Sequence, residues 1–209
     1  MLFLKNKLAD GALLGIWQLH ESQEQLLQML DNRHWYTAFL DKVTSDTRKK
    51  EWLAARVLLK ELCGEEKQIV YYKNGQPFLY DNSFNISISH TKGYIAVLIH
   101  PSKRVGVDIE RISERVLKVQ HKFLLEKDLM VIPVENELVQ TSLLWSAKES
   151  LFKIMDVAEI QFAEQLHIEP FVLQQEGVFS AYETRTDVQQ KFSVYYEVFS
   201  EMVLTWTCV

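Results

Sequence analysis

The chain has 209 residues, of which 47% are apolar and 24% charged, so it can bury a sizeable core in one large domain or two small ones. Its formal net charge of −5 argues against a nucleic-acid-binding protein, which normally carries a basic excess. Cys63 and Cys208 form neither a disulfide framework nor a C-x-x-C metal spacing, and we expect reduced thiols. Because every apolar stretch is too short for a signal peptide or a membrane span, we expect a cytoplasmic protein that binds no membrane.

The first half of the chain alternates helical and strand-like patterns. An apolar stretch at residues 13–19 precedes Ser22, which heads a capping box and predicts a short helix. The best helix is predicted from about Ser45 to Cys63, with Gly64 as its stop. An Asn74-Gly75 turn predicts a hairpin. Four short strands are predicted near residues 69–72, 78–80, 84–89 and 94–100.

The second half repeats this order of elements. A strand at residues 103–111 is followed by helical patterns at 114–130 and by a strong helix from Glu137 to Met155. Four more strands are predicted near residues 168–173, 178–183, 192–199 and 202–208. When the first long helix is aligned with the second at an offset of 93 residues, four positions are identical. Trp52, Ala54, Leu58 and Lys60 align with Trp145, Ala147, Leu151 and Lys153. The matches indicate a duplicated α+β unit, with chance identity as the alternative.

Two carboxylates lie in the stretch KRVGVDIER, where apolar residues at 105, 107 and 109 alternate with other types. Strand side chains alternate between faces, so Asp108 and Glu110 share one face. One interpretation is a half-exposed strand whose acids pair with Arg104 or Arg111. The other is a site for a divalent cation such as Mg²⁺, because that ion prefers hard oxygen ligands.

A third carboxylate lies within the apolar helix LLWSAKESLFKIM. Trp145, Glu149 and Lys153 are spaced four residues apart and lie along one helical stripe. Glu149 and Lys153 could be an ordinary surface Glu–Lys pair. The tryptophan on the same stripe indicates a partly covered face, which favours a role in binding a ligand.

Three motifs together resemble the signature motifs of the 4′-phosphopantetheinyl transferases. They are SISHT, VGVDIE and WSAKESLFK, in that order, and the last two match the family pattern at every position. The resemblance covers residues 45–155 by motif and the whole chain by length and element order. Because VGVDIE lies at the midpoint of the chain, the resemblance is to the longer, surfactin-synthetase-activating (Sfp) type.

The resemblance implies an α+β fold of two similar halves, each a long helix packed on an antiparallel sheet, related by a pseudo-twofold axis. Residues 1–104 would form the coenzyme A-binding side, and residues 105–209 would carry the metal site and the carrier-docking side. A monomer is expected, because the two halves already form a pseudo-dimer.

The resemblance also implies a reaction. The enzyme would transfer the 4′-phosphopantetheine arm of coenzyme A to a serine of an acyl or peptidyl carrier protein, with Mg²⁺ or, in its place, Mn²⁺, and release adenosine 3′,5′-bisphosphate. Asp108, Glu110 and Glu149 would hold the metal, and Glu149 would also be the candidate base for the serine. Lys153 would neutralise phosphate charge in the transition state.

The same resemblance assigns coenzyme A contacts to the first half. Ser89 and His90 match family residues that contact the phosphates, and Gly75 lies in a segment that matches a family G-K-P pattern. The family lysine is replaced here by Gln76, so Lys73 is expected to substitute from across the turn. The basic residues expected to bind the 3′-phosphate are Lys50 and Arg56, with Arg48 and Lys49 as alternatives.

An acidic carrier needs a local basic patch, because the whole chain is net acidic. The stretch ERVLKVQHK, with Arg111 just before it, is the expected docking surface, with Val116 or Leu117 as the apolar contact. An ordinary solvated helix face is the alternative.

Two other functions stay open: a catalytically weak relative that binds coenzyme A or a carrier, and an unrelated Mg²⁺-dependent phosphate enzyme. The latter should have a phosphate-binding glycine loop, which the sequence lacks.

Overall fold

The computed structural model describes residues 1–130, 132–155 and 159–209. The chain divides into two compact units, Met1–Arg104 and Val105–Val209. Each unit packs one long helix on an antiparallel sheet, which confirms the predicted α+β class. Among the described residues, no helix combines the length and apolar character that crossing a bilayer requires.

The first unit contains a four-stranded antiparallel sheet and a separate hairpin. Its strands are β1 (Leu2–Lys7), β2 (Leu13–Gln18), β3 (Ile69–Tyr71), β4 (Pro77–Leu79), β5 (Asn85–Thr91) and β6 (Tyr94–His100). Its helices are α1 (Gln23–Gln28), α2 (Thr37–Lys42) and α3 (Asp46–Cys63), with a 3₁₀ turn at Arg33–Trp35. The sheet order is β1-β2-β6-β5, and β3 pairs only with β4.

Helix α3 forms where its sequence signals predicted it. The Ser45 hydroxyl accepts a hydrogen bond from the Arg48 amide at the start of the helix. Gly64 ends it with a φ of 76°, a left-handed conformation that glycine adopts without strain. Its apolar face, including Leu53 and Leu58, is fully buried on the sheet. This burial places one face of α3 in the core and leaves its first turn exposed.

The second unit has a five-stranded antiparallel sheet in the order β7-β11-β10-β9-β8. Its strands are β7 (Val105–Arg111), β8 (Leu166–Ile168), β9 (Glu176–Glu183), β10 (Lys191–Val198) and β11 (Met202–Cys208). Its helices are α4 (Arg115–Val119), α5 (Glu126–Leu129), α6 (Glu137–Ile154) and α7 (Phe162–Gln165), with 3₁₀ turns at Gln120–Lys122 and Val134–Asn136. The long helix α6 packs on β7 and β11.

The two units share a topology. In each, a strand precedes the long helix and pairs with the last strand of the unit, which pairs in turn with the strand before it. The strand that pairs with the last strand, β2 in the first unit and β7 in the second, has a glycine under the helix. A Cβ at Gly15 would meet side chains of α3, and one at Gly106 would meet the backbone of α6. The repeated order of strand, helix and strands agrees with the duplication that the helix sequences indicated.

The structure also differs from the sequence predictions in places. Strand β1 was not predicted, because it is an edge strand whose residues are almost all exposed and show no buried alternation. The strand expected at 168–173 lies at Leu166–Ile168 instead. The short helix α2 was also missed, because it buries no residue completely and has no side-chain cap.

A buried carboxylate organises the turn between β9 and β10. Glu183 is 1% exposed and accepts hydrogen bonds from the amides of Arg185, Thr186 and Gln190 and from the Thr186 hydroxyl. Burial alone would raise the pKa of this carboxyl, but these hydrogen bonds outweigh it and lower the pKa below its ordinary value. The ionised form therefore stabilises the fold.

We expect Gly106→Ala to lower the free energy of unfolding by about 3 kcal/mol, because the added methyl would overlap the Ser150 carbonyl of α6. Gly15→Ala should cost only about 1 kcal/mol, because its methyl meets the movable ends of Leu58 and Leu62. Urea unfolding of both variants measures the difference. Equal losses would contradict the claim that backbone contact makes Gly106 the stricter position.

We expect Glu183→Gln to cost about 2 kcal/mol at pH 7, because an amide can replace only part of the carboxylate's acceptor capacity. A carboxyl with a lowered pKa contributes its stability above the ordinary carboxyl pKa of 4.5 and loses it as pH falls through the folded pKa. The gap between the wild-type chain and Glu183→Gln should therefore shrink as the pH falls below about 4.5. Unfolding curves across this range test it, and a gap that is constant with pH would show that the charge is not responsible.

Candidate functional site

The two strand carboxylates face the long helix of the second unit. On β7, Asp108 pairs with Thr205 of β11, and directly paired residues of antiparallel strands point to the same face. The Thr205 hydroxyl lies 3.0 Å from the Ser146 hydroxyl of α6, which identifies this face as the one that α6 covers. Asp108 is 5% exposed and Glu110 is half-buried. The half-exposed strand that was one interpretation of the sequence is therefore not what forms at Asp108.

Helix α6 brings a lysine to these acids. The Lys153 ammonium donates to Asp108 Oδ1 at 2.9 Å and to the Val107 carbonyl at 2.9 Å. Glu149 lies one helical turn before Lys153 and is half-buried. The close packing of α6 at Gly106 makes this reach possible, so the motifs VGVDIE and WSAKESLFK meet within the second unit.

Electrostatic coupling shows that the three carboxylates share one environment. Burial, reinforced by the negative charges of Asp108 and Glu149, raises the pKa of Glu110 to about 7, although Arg115 and Lys153 oppose the rise. Burial and the charge of Asp108 likewise raise the pKa of Glu149, against the opposing charge of Lys153. Glu110 and Glu149 are therefore harder to ionise, because they are buried and because negative charge lies near them.

The donor set suits a divalent cation chemically. The pKa of Glu110 and that of Glu149 are raised partly by nearby negative charge, which a cation placed among the carboxylates would offset, and carboxylate oxygens are the ligands that Mg²⁺ prefers. Their arrangement is not a closed cage, however. Within the described residues, no three His, Cys, Asp or Glu side chains are grouped closely enough to hold a metal ion. A metal at Asp108, Glu110 and Glu149 therefore stays a prediction.

The first unit carries the residues that were predicted to contact coenzyme A. Ser89 is buried near the end of β5, and His90 beside it is exposed. The His90 Nδ1 lies 3.9 Å from a carboxylate oxygen of Glu51 on α3. Lys73 and Gly75 are exposed in the β3–β4 turn, where Gly75 has a φ of 88°. These residues are accessible from solvent except for Ser89.

Arg56 lies in the core of the first unit rather than on its surface. It is 2% exposed, and its guanidinium lies 3.3 Å from the centroid of the Trp52 ring. It donates to the Trp52 carbonyl at 2.9 Å and to the Tyr71 hydroxyl at 3.1 Å. Arg56 thus holds the hairpin to α3, a role that the basic run in the sequence did not indicate. Lys50, six residues earlier on the same helix, is half-buried.

The predicted docking surface is mixed in exposure. On α4, Arg115 and Lys118 are exposed, whereas Val116 is 7% exposed and packs inward. Of the two apolar contacts proposed from sequence, only the partly exposed Leu117 is open to a partner. Arg115 also lies close enough to Glu110 to lower the pKa of that carboxyl. The sequence did not predict this, because no motif or residue spacing indicates that α4 lies near β7.

Comparison with known proteins supports the motif-based resemblance. Residues 104–206 match the family model described as the 4′-phosphopantetheinyl transferase superfamily. The chain is 36% identical over 109 residues to the 4′-phosphopantetheinyl transferase gsp of Aneurinibacillus migulanus, across 49% of this chain and 45% of that one. It is 33% identical over 79 residues to the 4′-phosphopantetheinyl transferase AcpT of Salmonella typhi, across 37% of this chain and 41% of that one. The matched part of the chain thus spans less than half the length of these curated relatives.

We expect Lys153→Met to destabilise the second unit by about 3 kcal/mol, because it removes the ammonium that is paired with the buried Asp108 carboxylate. Replacing the acid as well, in Lys153→Met/Asp108→Asn, should recover most of the loss. Urea unfolding at pH 7 measures both variants, with Lys118→Met as the control for removing an exposed lysine. A Lys153→Met chain as stable as the control would show that the pair is not an important stabilising contact.

Proposed function

Because the chain belongs to the 4′-phosphopantetheinyl transferase superfamily, we propose that it transfers the 4′-phosphopantetheine arm of coenzyme A to a serine of a carrier protein. Adenosine 3′,5′-bisphosphate is the other product. The observation that carries the proposal is the ion pair between Lys153 on α6 and Asp108 on β7. Glu110 and Glu149 lie close enough to interact electrostatically with this pair. This arrangement concentrates acid and ammonium groups at one place in the second unit.

Glu149 is the proposed base for the incoming serine hydroxyl. Its raised pKa makes it a better proton acceptor than an ordinary surface carboxylate. Lys153 supplies fixed positive charge one turn away, where it can offset negative charge that grows on phosphate oxygens during transfer. Its bond to the Val107 carbonyl holds the ammonium in position.

Asp108, Glu110 and Glu149 are the proposed ligands for Mg²⁺, with Mn²⁺ as an alternative. When bound, such an ion neutralises pyrophosphate charge and makes attack on it easier. The proposal rests on the mutual repulsion of the three carboxylates, which a cation would relieve. Ionisation of Glu110 near neutral pH would then depend on the presence of the metal.

The first unit supplies the proposed coenzyme A contacts. His90, Lys73 and Gly75 are exposed and offer an imidazole, an ammonium and a turn backbone to phosphate oxygens. Ser89 and Lys50 complete the proposed set. Arg56 belongs to it as a support for the hairpin, because its guanidinium donates to the Trp52 carbonyl and to the Tyr71 hydroxyl. Gln76 provides no charge in this segment.

A repeated topology in two units supports the longer Sfp type, and that type favours a monomer in the cytoplasm. The carrier partner is an acyl or peptidyl carrier protein of fatty-acid, polyketide or nonribosomal-peptide synthesis. Arg115 and Lys118 are its proposed basic contacts, and their exposure on α4 supports this.

Intact-mass spectrometry tests the reaction directly. The purified chain is mixed with coenzyme A, Mg²⁺ and a panel of apo carriers, and the carrier should gain about 340 Da, the mass of the arm delivered by this metal-assisted transfer. The gain should vanish with EDTA and return with excess Mg²⁺. Glu149→Gln should reduce the rate at least ~100-fold, whereas Glu137→Gln, an exposed acid on the same helix, should not.

The outcomes separate the proposed function from its alternative. No mass gain with any carrier, together with retained coenzyme A binding, would overturn the transferase and favour a binding protein; Gln76→Lys would then be the variant to examine. Transfer that persists in Glu149→Gln would keep the reaction and overturn the base. Transfer that persists in EDTA would overturn the metal.

A further inference from the structure

The motif helix α6 carries a tryptophan and a lysine that the proposed chemistry does not use. Lys148 is 2% exposed, and its ammonium donates to the Phe123 carbonyl at 2.6 Å and to the Phe162 carbonyl at 2.8 Å. Both acceptors are backbone carbonyls outside α6, one on a segment before the helix and one on a segment after it. Burying an ammonium is costly, so these two bonds are a specific connection rather than an ordinary surface contact.

The same two residues also contact α6 through their rings. Trp145 lies 4.9 Å from the Phe123 ring and 5.7 Å from the Phe162 ring, centroid to centroid. Trp145 and Lys148 are three residues apart and share one side of the helix. Phe123 and Phe162 are therefore each held twice, once by ring packing and once by a carbonyl bond.

Lys148 lies about 100° around α6 from Glu149, and Trp145 lies between them, at the edge of the stripe that carries the proposed chemistry. Lys153 reaches across to β7, and Glu149 responds to the charges of Asp108 and Lys153. The motif WSAKESLFK thus serves two surfaces of one helix. Trp145 and Lys148 bind neighbouring chain segments, and Glu149 and Lys153 face the acids of the strand.

One of the held segments is the proposed docking surface. We define the docking segment as residues 111–122, which ends directly before Phe123. Its inner side packs on α6, where Val116, Phe123, Leu124 and Leu144 form a buried cluster with Trp145 beside them. Its outer side presents Arg115 and Lys118. The bond from Lys148 to Phe123 therefore fixes the end of this segment to the helix that carries Glu149.

We infer that Lys148, together with Trp145, is a positioning residue for the carrier protein, because it clamps the docking segment to the helix of the proposed base. The inference rests on the proposed function. It assigns Lys148 no contact with coenzyme A or with the reacting atoms. Loss of the clamp frees the docking segment, so the carrier binds less well while the chemical groups stay in place.

Steady-state kinetics of the full chain test the inference, with Lys148→Met as the main variant because methionine has a similar length and no donor. We expect the KM for the carrier to rise at least ~10-fold, with kcat and the KM for coenzyme A changing less than about twofold. Lys148→Arg retains two donors and should restore the carrier KM to within about threefold of wild type. A carrier KM that is unchanged in Lys148→Met would overturn the inference.

Glu183→Gln is the matched control for general destabilisation. It weakens the same unit at the β9–β10 turn, outside the docking segment. A purely structural effect would reduce the active fraction, and hence kcat, in both variants without changing either KM. A Lys148→Met enzyme that behaves as Glu183→Gln does, with kcat lowered and the carrier KM unchanged, would therefore overturn the inference.

Hydrogen exchange gives a readout that does not depend on activity. Amides of residues 115–124 should exchange faster in Lys148→Met, whereas those of β9 to β11 should keep their protection. Reversing the outer charges in Arg115→Glu/Lys118→Glu should raise the carrier KM without this change in exchange. Unchanged exchange in Lys148→Met would overturn the clamp.

Two further arms keep the test decisive. If Lys148→Met does not fold, Phe123→Leu removes the ring contact with Trp145 and keeps the carbonyl, and it should raise the carrier KM in the same direction. If the wild-type chain transfers no arm to any carrier, the proposed function has failed. Faster exchange at residues 115–124 would then still support the clamp, and unchanged exchange would reject it.

Discussion

The close approach of helix α6 to strand β7 at Gly106 is the constraint on which the candidate site depends. A side chain at this position would overlap the Ser150 carbonyl, so only glycine lets the helix lie this near the strand. At that distance the Lys153 ammonium reaches Asp108 and the Val107 carbonyl. Packing and electrostatics are therefore linked, because a helix held farther away would break the ion pair between Lys153 and the buried Asp108 carboxylate.

Helix α6 organises the second unit because different sides of it contact different parts of the chain. Glu149 and Lys153 share an environment with the strand acids, and Trp145 and Lys148 hold segments that come before and after the helix in sequence. A short motif can serve both tasks because 3.6 residues per turn place adjacent positions about 100° apart. Lys148 can therefore be buried while the next residue, Glu149, belongs with Lys153 to the proposed catalytic groups on the same helix.

Particular residues show how far the sequence could predict the fold and site. The capping serine and terminal glycine of α3 lie where local rules predicted them, because these signals act within a few residues of the chain. The shared face of Asp108 and Glu110 also followed from strand alternation. Arg56 shows the limit of such rules. It was expected to bind the 3′-phosphate of coenzyme A, yet its guanidinium is buried against Trp52 and Tyr71.

The sequence by itself determined the α+β class, the main helices and strands, and the identity of the acids and the lysine that compose the candidate site. These features depend on local periodicity and on motif chemistry, both of which are present in the order of residues. Only the tertiary structure decided that Lys153 pairs with Asp108, that Lys148 binds the Phe123 and Phe162 carbonyls, and that Glu110 has a pKa of about 7. Those outcomes depend on burial and on distances between residues far apart in the chain, because the strength of a charge interaction is set by separation and by the exclusion of water.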